Sequence, residues 1–190
     1  METVQERLSP QTGDGGSNPT PPHQAQIRPK ELYFREIDNR TGDRYLVTYH
    51  YLHRKNTYGR IHFGAFHKGR LVGVTEFSYP VLGVIEKLKL QNGEVSWNSR
   101  THLSDECGKN SESRFLGWCL RVLPKLWESR FHHQLKAVVA YADRKQGHTG
   151  TIYRALGMKV MGFHESMTGK NVVYKNSKSM KVSYIKWIRP

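Results

Sequence analysis

The sequence predicts one mixed α/β (α+β) domain, a mixed central sheet flanked by helices, behind a disordered N-terminal tail. Three observations lead to that class. The chain has 190 residues, enough for one ordinary domain and a tail but not for two comfortable domains. Hydrophobic residues make up 37% of it and aromatic ones 11%, so a core is available. Strand-type, helix-type and strand-type patterns alternate around a hairpin, which is the order of a mixed sheet.

Residues 1 to 30 are rich in Pro, Gly, Gln, Ser and Thr, and Gly13–Pro22 is almost free of apolar side chains. Such a stretch buries too little surface to offset its ordering entropy, so it reads as the tail and residues 31–190 as the domain. The domain opens at Glu31-Leu32-Tyr33-Phe34. Ile61–Phe66 and Leu71–Phe77 are extended runs separated by the turn His67-Lys68-Gly69-Arg70, a β-hairpin. Glu94–Leu103 alternates in part and predicts a further strand. Asn110, Ser111 and Ser113 are N-cap residue types. Behind them Phe115, Leu116, Cys119, Leu120, Leu123 and Trp127 recur at helical spacing, with Pro124 expected to kink or end the helix. Leu135–Ala142 is a nearly continuous apolar run, as in a buried central strand. The loop Asp143–Gly150 leads to a short helix, Thr151–Leu156, stopped by Gly157. Met158–Phe163, Val172–Tyr174 and Val182–Ile188 are the remaining expected strands.

Thirty Lys+Arg against 16 Asp+Glu give a formal net charge of +14. That excess predicts a polyanionic partner, nucleic acid first and an anionic cofactor second. A solvated basic surface or a ribosome-associated protein would carry the same excess, so charge alone names no chemistry. Cys107 and Cys119 lack metal-type spacing and read as reduced thiols, Cys119 on a buried helix face. There is no long apolar run, and METVQERLSP has no hydrophobic signal core, so neither a membrane span nor secretion is expected.

The segment Ala140–Gly162 carries the most information. Ile152-Tyr153-Arg154-Ala155-Leu156-Gly157-Met158, with Gly162 beyond, is similar to the closing segment of GNAT acyltransferases, where a short helix leads into a strand beside the acyl-CoA. Tyr141-Ala142-Asp143, followed by Gly147-His148-Thr149-Gly150-Thr151-Ile152-Tyr153, resembles the signature block of the phage Mom family of DNA modification proteins. Asn110-Ser111-Glu112-Ser113-Arg114-Phe115-Leu116-Gly117 resembles that family's NxESRxLG helix start. His50-Tyr51, then Phe63-Gly64 and Leu71-Val72-Gly73-Val74, form a third block in the same order. The resemblance implies a GNAT-like fold, an acyl-CoA or related donor, and double-stranded DNA as the partner. It also implies transfer of a methylcarbamoyl or acyl-type group to the N6 amine of adenine, protection of phage DNA from restriction, and a place in the cytoplasm of the bacterial host. One departure bears on the donor. The Gly-rich Q/RxxGxG/A loop usual in GNAT proteins is replaced by Asp105-Glu106-Cys107-Gly108-Lys109-Asn110, which speaks against ordinary acetyl-CoA.

The candidate site residues are read with their plain alternatives beside them. Asp143 leaves a buried-type strand at its carboxyl end, a usual ligand position in α/β sheets. There it would accept a proton from an attacking amine, with Tyr153 protonating a leaving thiolate. The alternatives are a turn cap for Asp143 and a core phenol for Tyr153. Gly147 and Gly150 flank His148 and Thr149, so the backbone can approach a ligand closely, although His148 also suits loop packing. His50 and Tyr51 lie in a run of aromatics and bases, Tyr49 to Lys55, suited to an unstacked nucleobase, with His50 a second candidate proton acceptor. Asn110, Ser111, Ser113 and Arg114 make a helix-start anion site for the cofactor. Arg100 would pair with a phosphate, or is a surface strand arginine. His50 with Asp143 is a weak iron candidate, because no second histidine stands at diagnostic spacing. Two competing functions remain open: a conventional GNAT N-acyltransferase acting on a protein or small amine, and a non-catalytic DNA-binding anti-restriction protein.

Overall fold

The structure, a computed structural model, describes residues 26–56, 60–167 and 178–189, with side chains outside 164–167 and 178–180. In chain order it has β1 (Tyr33–Ile37), α1 (Asn39–Tyr49), β2 (Ile61–His67), β3 (Arg70–Ser78), α2 (Leu82–Leu88), β4 (Val95–Leu103) and α3 (Ser111–Phe131). Then follow β5 (Ala137–Asp143), α4 (Thr151–Ala155), β6 (Lys159–Met167) and β7 (Lys178–Trp187). The seven strands form one sheet in the order β1-β2-β3-β4-β5-β7-β6.

The expected hairpin is β2–β3. Its turn residues Lys68 and Gly69 both have positive φ, 47° and 84°, as a two-residue turn between right-twisted strands requires. All other neighbouring strands are also antiparallel except β4 and β5, which run parallel. That pairing lasts only from Val95/Ala137 to Asn98/Ala140, while β4 continues to Leu103 and β5 to Asp143. A fork therefore opens between them toward their carboxyl ends.

Side chains alternate across the sheet. Val138 joins the cluster under α3, with Phe63, Phe77, Phe115, Leu123 and Trp127. Its neighbour Val139 joins Val84 of α2, Val95 and Ile185 on the other face. The sheet is thus covered on both faces. Trp127 is fully buried, and its indole N–H donates to the Gly93 carbonyl at 2.7 Å.

Several elements differ from expectation. Of the two outcomes expected at Pro124, a kink or an end, the helix does not end: α3 runs through it to Phe131. Burial of Leu123 and Trp127 on one stripe carries the helix across the missing N–H. α1 and α2 carry no clear apolar period; the buried face of α1 is Gly42, Asp43 and Leu46, two of them not apolar side chains. The fold also begins before Glu31. Ile27 is buried, its N–H donates to Glu106 O at 2.8 Å, and its carbonyl accepts from Gly108 N at 2.8 Å. Residues 1–25 and the expected strand Val172–Tyr174 lie outside the described residues. Among the described residues no helix is long and apolar enough to cross a membrane.

Trp127→Ala should lower unfolding stability by about 3–5 kcal/mol, whereas Trp187→Ala, at a half-exposed position, should cost about 0.5 kcal/mol or less. Equilibrium urea denaturation of the two variants checks the difference.

Candidate functional site

The fork between β4 and β5 places the chemistry. Asn98, in the last paired position, is buried; its Nδ2 donates to Thr75 Oγ1 at 2.8 Å, and its Oδ1 accepts from the Tyr153 phenol at 3.4 Å. Phe77, Asn98, Leu116, Ala140, Tyr153 and Met158 are among the walls of a small apolar pocket there. Burial pushes the Tyr153 phenol well above its ordinary range, with Glu112, Tyr51 and Tyr184 adding to the shift. It remains a proton donor across the neutral range.

Asp143 ends β5 and is buried, and its Oδ1 accepts from Lys145 N at 3.1 Å. The plain alternative is therefore realised, since Asp143 caps the following turn, yet the same carboxylate faces the site. Burial, then the Asp143 charge, raises the Tyr51 phenol, while Arg100 opposes the shift. Tyr51 thus lies within electrostatic reach of both. Its ring packs on His50 at 4.4 Å and on His148 at 5.8 Å. Gly147 has open space where a Cβ would stand. At Gly150 a Cβ would fall 2.1 Å from Tyr184 Oη, so the close approach there is to the protein's own tyrosine and not to a ligand. Thr149 O accepts from Arg154 Nη1 at 2.9 Å and from Tyr184 OH at 3.4 Å, which fastens the loop to β7.

His50 changes role. Burial, reinforced by Arg100, His102 and His148, lowers its pKa to about 4. Its Nδ1 accepts the Leu52 N–H at 3.2 Å, so the neutral ring carries its proton on Nε2. A ring with that lone pair already engaged is a hydrogen-bond donor toward the site and does not serve as the proton acceptor.

Arg100 is neither a surface arginine nor a free phosphate ligand. It is buried, and Nη1 donates to Glu76 Oε1 at 3.1 Å. Glu76 Oε2 lies 3.1 Å from His62 Nε2, which lies 3.7 Å from Asp43 Oδ1; Asp43 in turn pairs with Arg60. His62 Nδ1 meets Asn39 Oδ1 at 3.0 Å, and Asn56 Nδ2 donates to Glu76 Oε1 at 3.0 Å. Burial alone would raise the Glu76 carboxyl, but hydrogen bonds from His62, Ser99 and Asn56 bring it down to about 2. Arg100 Nε is buried with no hydrogen-bond partner among the described residues. Sequence reasoning missed this network. β2 and β3 place His62 opposite Glu76, but a bulge at Ala65/Phe66 shifts the register, so the turn alone does not reveal the pairing.

Asp43, His62 and Glu76 bring ligand atoms within 4.8 Å of one another. Arg60 and Arg100 already balance the two carboxylates, so a divalent ion would add uncompensated charge to a buried place. These donors do not fit a cation. Among the described residues His50 and Asp143 belong to no metal-capable group of three, and the iron expectation finds no support.

The start of α3 does not assemble as one anion site. Arg114 Nη1 donates to the carbonyls of Pro29 and of Leu32 (3.1 Å to the latter), and its guanidinium lies over the Phe34 ring. Ser113 Oγ donates to Asn110 O at 3.1 Å, and Asn110, at φ 70°, makes no side-chain cap. Ser111 Oγ is buried without a hydrogen-bond partner among the described residues.

The architecture of the domain is shared with solved acetyltransferases. The acetyl-CoA complex of NAA60 from Arabidopsis thaliana matches at TM-score 0.59 and 10% identity, over 83% of this chain and 98% of that one. The acetyltransferase of GNAT family from Streptococcus pneumoniae matches at TM-score 0.55 and 11% identity, over 83% and 100%. At these identities the likeness is one of architecture: the domain has the GNAT acetyltransferase fold. Within that class the chain belongs to the Mom protein family, whose model matches residues 31–188. It is 31% identical over 140 residues to methylcarbamoylase mom of Escherichia phage Mu, covering 72% of this chain and 56% of that protein. The chain thus spans little more than half the length of that relative.

Two outcomes follow. Glu76→Ala should cost about 3–5 kcal/mol, because it leaves the buried Arg100 charge unpaired. For His50 the folded value of about 4 lies below the ordinary 6.5, so the unfolded chain takes up the proton first. Stability should fall as pH drops from about 6.5 toward 4, and His50→Gln should flatten that window. The Glu76 contribution is lost at lower pH, between its ordinary 4.5 and about 2. Urea midpoints measured across pH separate the two.

Proposed function

We propose that this protein transfers a methylcarbamoyl or acyl-type group to the N6 amine of adenine in double-stranded DNA, which protects phage DNA from restriction in the cytoplasm of the bacterial host. One observation supports the reading most: Tyr51, packed on His50 and His148, lies within electrostatic reach both of Asp143, which ends β5, and of the buried Tyr153 phenol, which reaches Asn98 at the base of the fork. The net charge of +14 supports a polyanionic substrate, and the family relation to methylcarbamoylase mom supports modification as the chemistry.

The residues at the fork fit an acyl thioester. Beyond Asn98 and Ala140 the strands no longer pair with each other, so their edges offer N–H and C=O groups to an extended chain. The pocket at Tyr153 takes an apolar end, and Ser111 Oγ offers an unmet hydroxyl. A pyrophosphate is served less well, because Arg114 and the Gly108 N–H are already engaged by the segment 27–32. When bound, such a donor supplies the electrophilic carbon and a thiolate leaving group.

The N6 amine is unreachable in stacked DNA, so the base must leave the duplex. Tyr51 and His148 offer it ring faces, and the Nε2–H of His50 donates to an acceptor on its edge. As the N6–carbon bond forms, Asp143 takes the N6 proton, and as the carbon–sulfur bond breaks, Tyr153 gives its phenolic proton to the sulfur. Lys and Arg side chains hold the backbone without reading sequence.

DNA from cells expressing the wild type should contain a modified adenine on nucleoside mass spectrometry. Asp143→Ala and Tyr153→Phe should each reduce it by about 10²–10⁴-fold. Equal yields from wild type and Asp143→Ala would remove Asp143 from the mechanism. Unmodified adenine with acetyl-CoA turnover in the absence of DNA would replace this reading with a conventional N-acyltransferase.

A further inference from the structure

The aromatic residues at the mouth of the fork form two groups, and only one is used above. Tyr45 and Tyr49 stand four residues apart on α1 and so share a face, with ring centroids 4.7 Å apart. Tyr45 is anchored against the cluster of Ile37, Leu46, Phe66 and Val74. Its hydroxyl meets His102 Nδ1 at 3.3 Å, which fixes the imidazole. His102, on β4, lies nearly parallel to the Tyr49 ring, at 5.7 Å and 21°. Tyr49 is thus packed against two rings while the residue remains 57% exposed. A rigid, exposed aromatic ring is a surface prepared for stacking.

The second group, Tyr51 with His50 and His148, begins two residues later, and Tyr51 is 42% exposed. His50, which packs on Tyr51, lies within electrostatic reach of both His102 and His148, so the two groups are neighbours. Their rings come from α1 and the residues after it, β4 and the loop after β5. Exposed Arg54 and Lys55 follow His50 and Tyr51 in the chain, and Arg54 acts on Tyr51. Rings interleaved with bases, in a chain of net charge +14, match a strand with negative phosphates and flat bases.

We propose that Tyr49, backed by His102 and Tyr45, is a stacking platform for the nucleobase next to the one being modified. The inference rests on the DNA reading above and deepens it. Taking one base out of a duplex strips its neighbour of a stacking partner. A ring waiting at the mouth returns that stacking and lowers the cost of opening the duplex. Stacking on a ring is tolerant of base identity, so the platform adds affinity for opened DNA without fixing a sequence.

The test measures anisotropy of the full chain on labelled duplexes containing one adenine that the protein modifies. The duplexes are intact, abasic at that adenine, or abasic at either neighbour. Tyr49→Ala should bind intact DNA about five- to 150-fold more weakly, the range that about 1–3 kcal/mol per stacked base spans, with an unchanged salt slope. Tyr49→Phe and Tyr49→Trp should retain binding. Removing one neighbouring base should abolish the difference between wild type and Tyr49→Ala, while removing the target base should leave it intact. Unchanged affinity of Tyr49→Ala, or an equal loss on every duplex, would overturn the platform alone. A wild type that binds none of the duplexes would overturn the DNA reading itself and the platform with it.

Discussion

At the centre of the sheet two parallel strands pair for four residues and then part, and the candidate site is built around that parting. Backbone groups that lose a strand partner must find another, so an open fork in a buried sheet calls for side chains, water or ligand to fill it. Asn98 does this at the base. Its amide bonds Thr75 on one side and accepts the Tyr153 phenol on the other, tying α4 to β3 across the gap. Above that point nothing in β4 or β5 closes the fork, and Asp143 stands at its rim.

Two electrostatic regimes meet there. Beneath the mouth, Asp43, His62, Glu76, Arg60 and Arg100 form a buried, balanced set in which every charge has an opposite neighbour. Such sets contribute little net stability but are costly to break, and they hold their members in one geometry. Arg100 is held in this way within reach of His50 and Tyr51. At the mouth itself His50 is uncharged because it is buried, with Arg100 adding to the effect, and Tyr153 is protonated because it is buried.

Membership of the Mom family and the GNAT fold describe the same chain at two levels. The particular residues at the rim of the fork, and the engagement of Gly108 and Arg114 by the segment 27–32, belong to this chain. In this chain the segment 27–32 covers part of the helix start of α3 and the loop before it with its own backbone.

Strong local patterns were legible in the sequence. The hairpin about Lys68-Gly69, the apolar run of β5, the stripe from Phe115 to Trp127 and the Gly-stopped helix at Tyr153 each satisfy a short-range rule of spacing or turn conformation. Asp143, Tyr153, His50 and Tyr51 could be named from ordered motifs. What sequence could not supply depends on register and on polar burial. α1 buries glycine and aspartate where a helix pattern calls for apolar residues. The bulge in β2 decides that His62 meets Glu76, and only the docking of α1 brings Asp43 to the same place. Whether an arginine lies on the surface or, like Arg100 beside Glu76, inside an ion network is settled by partners distant in the chain, because burial and ion pairing are properties of the packed whole and leave no spacing to read.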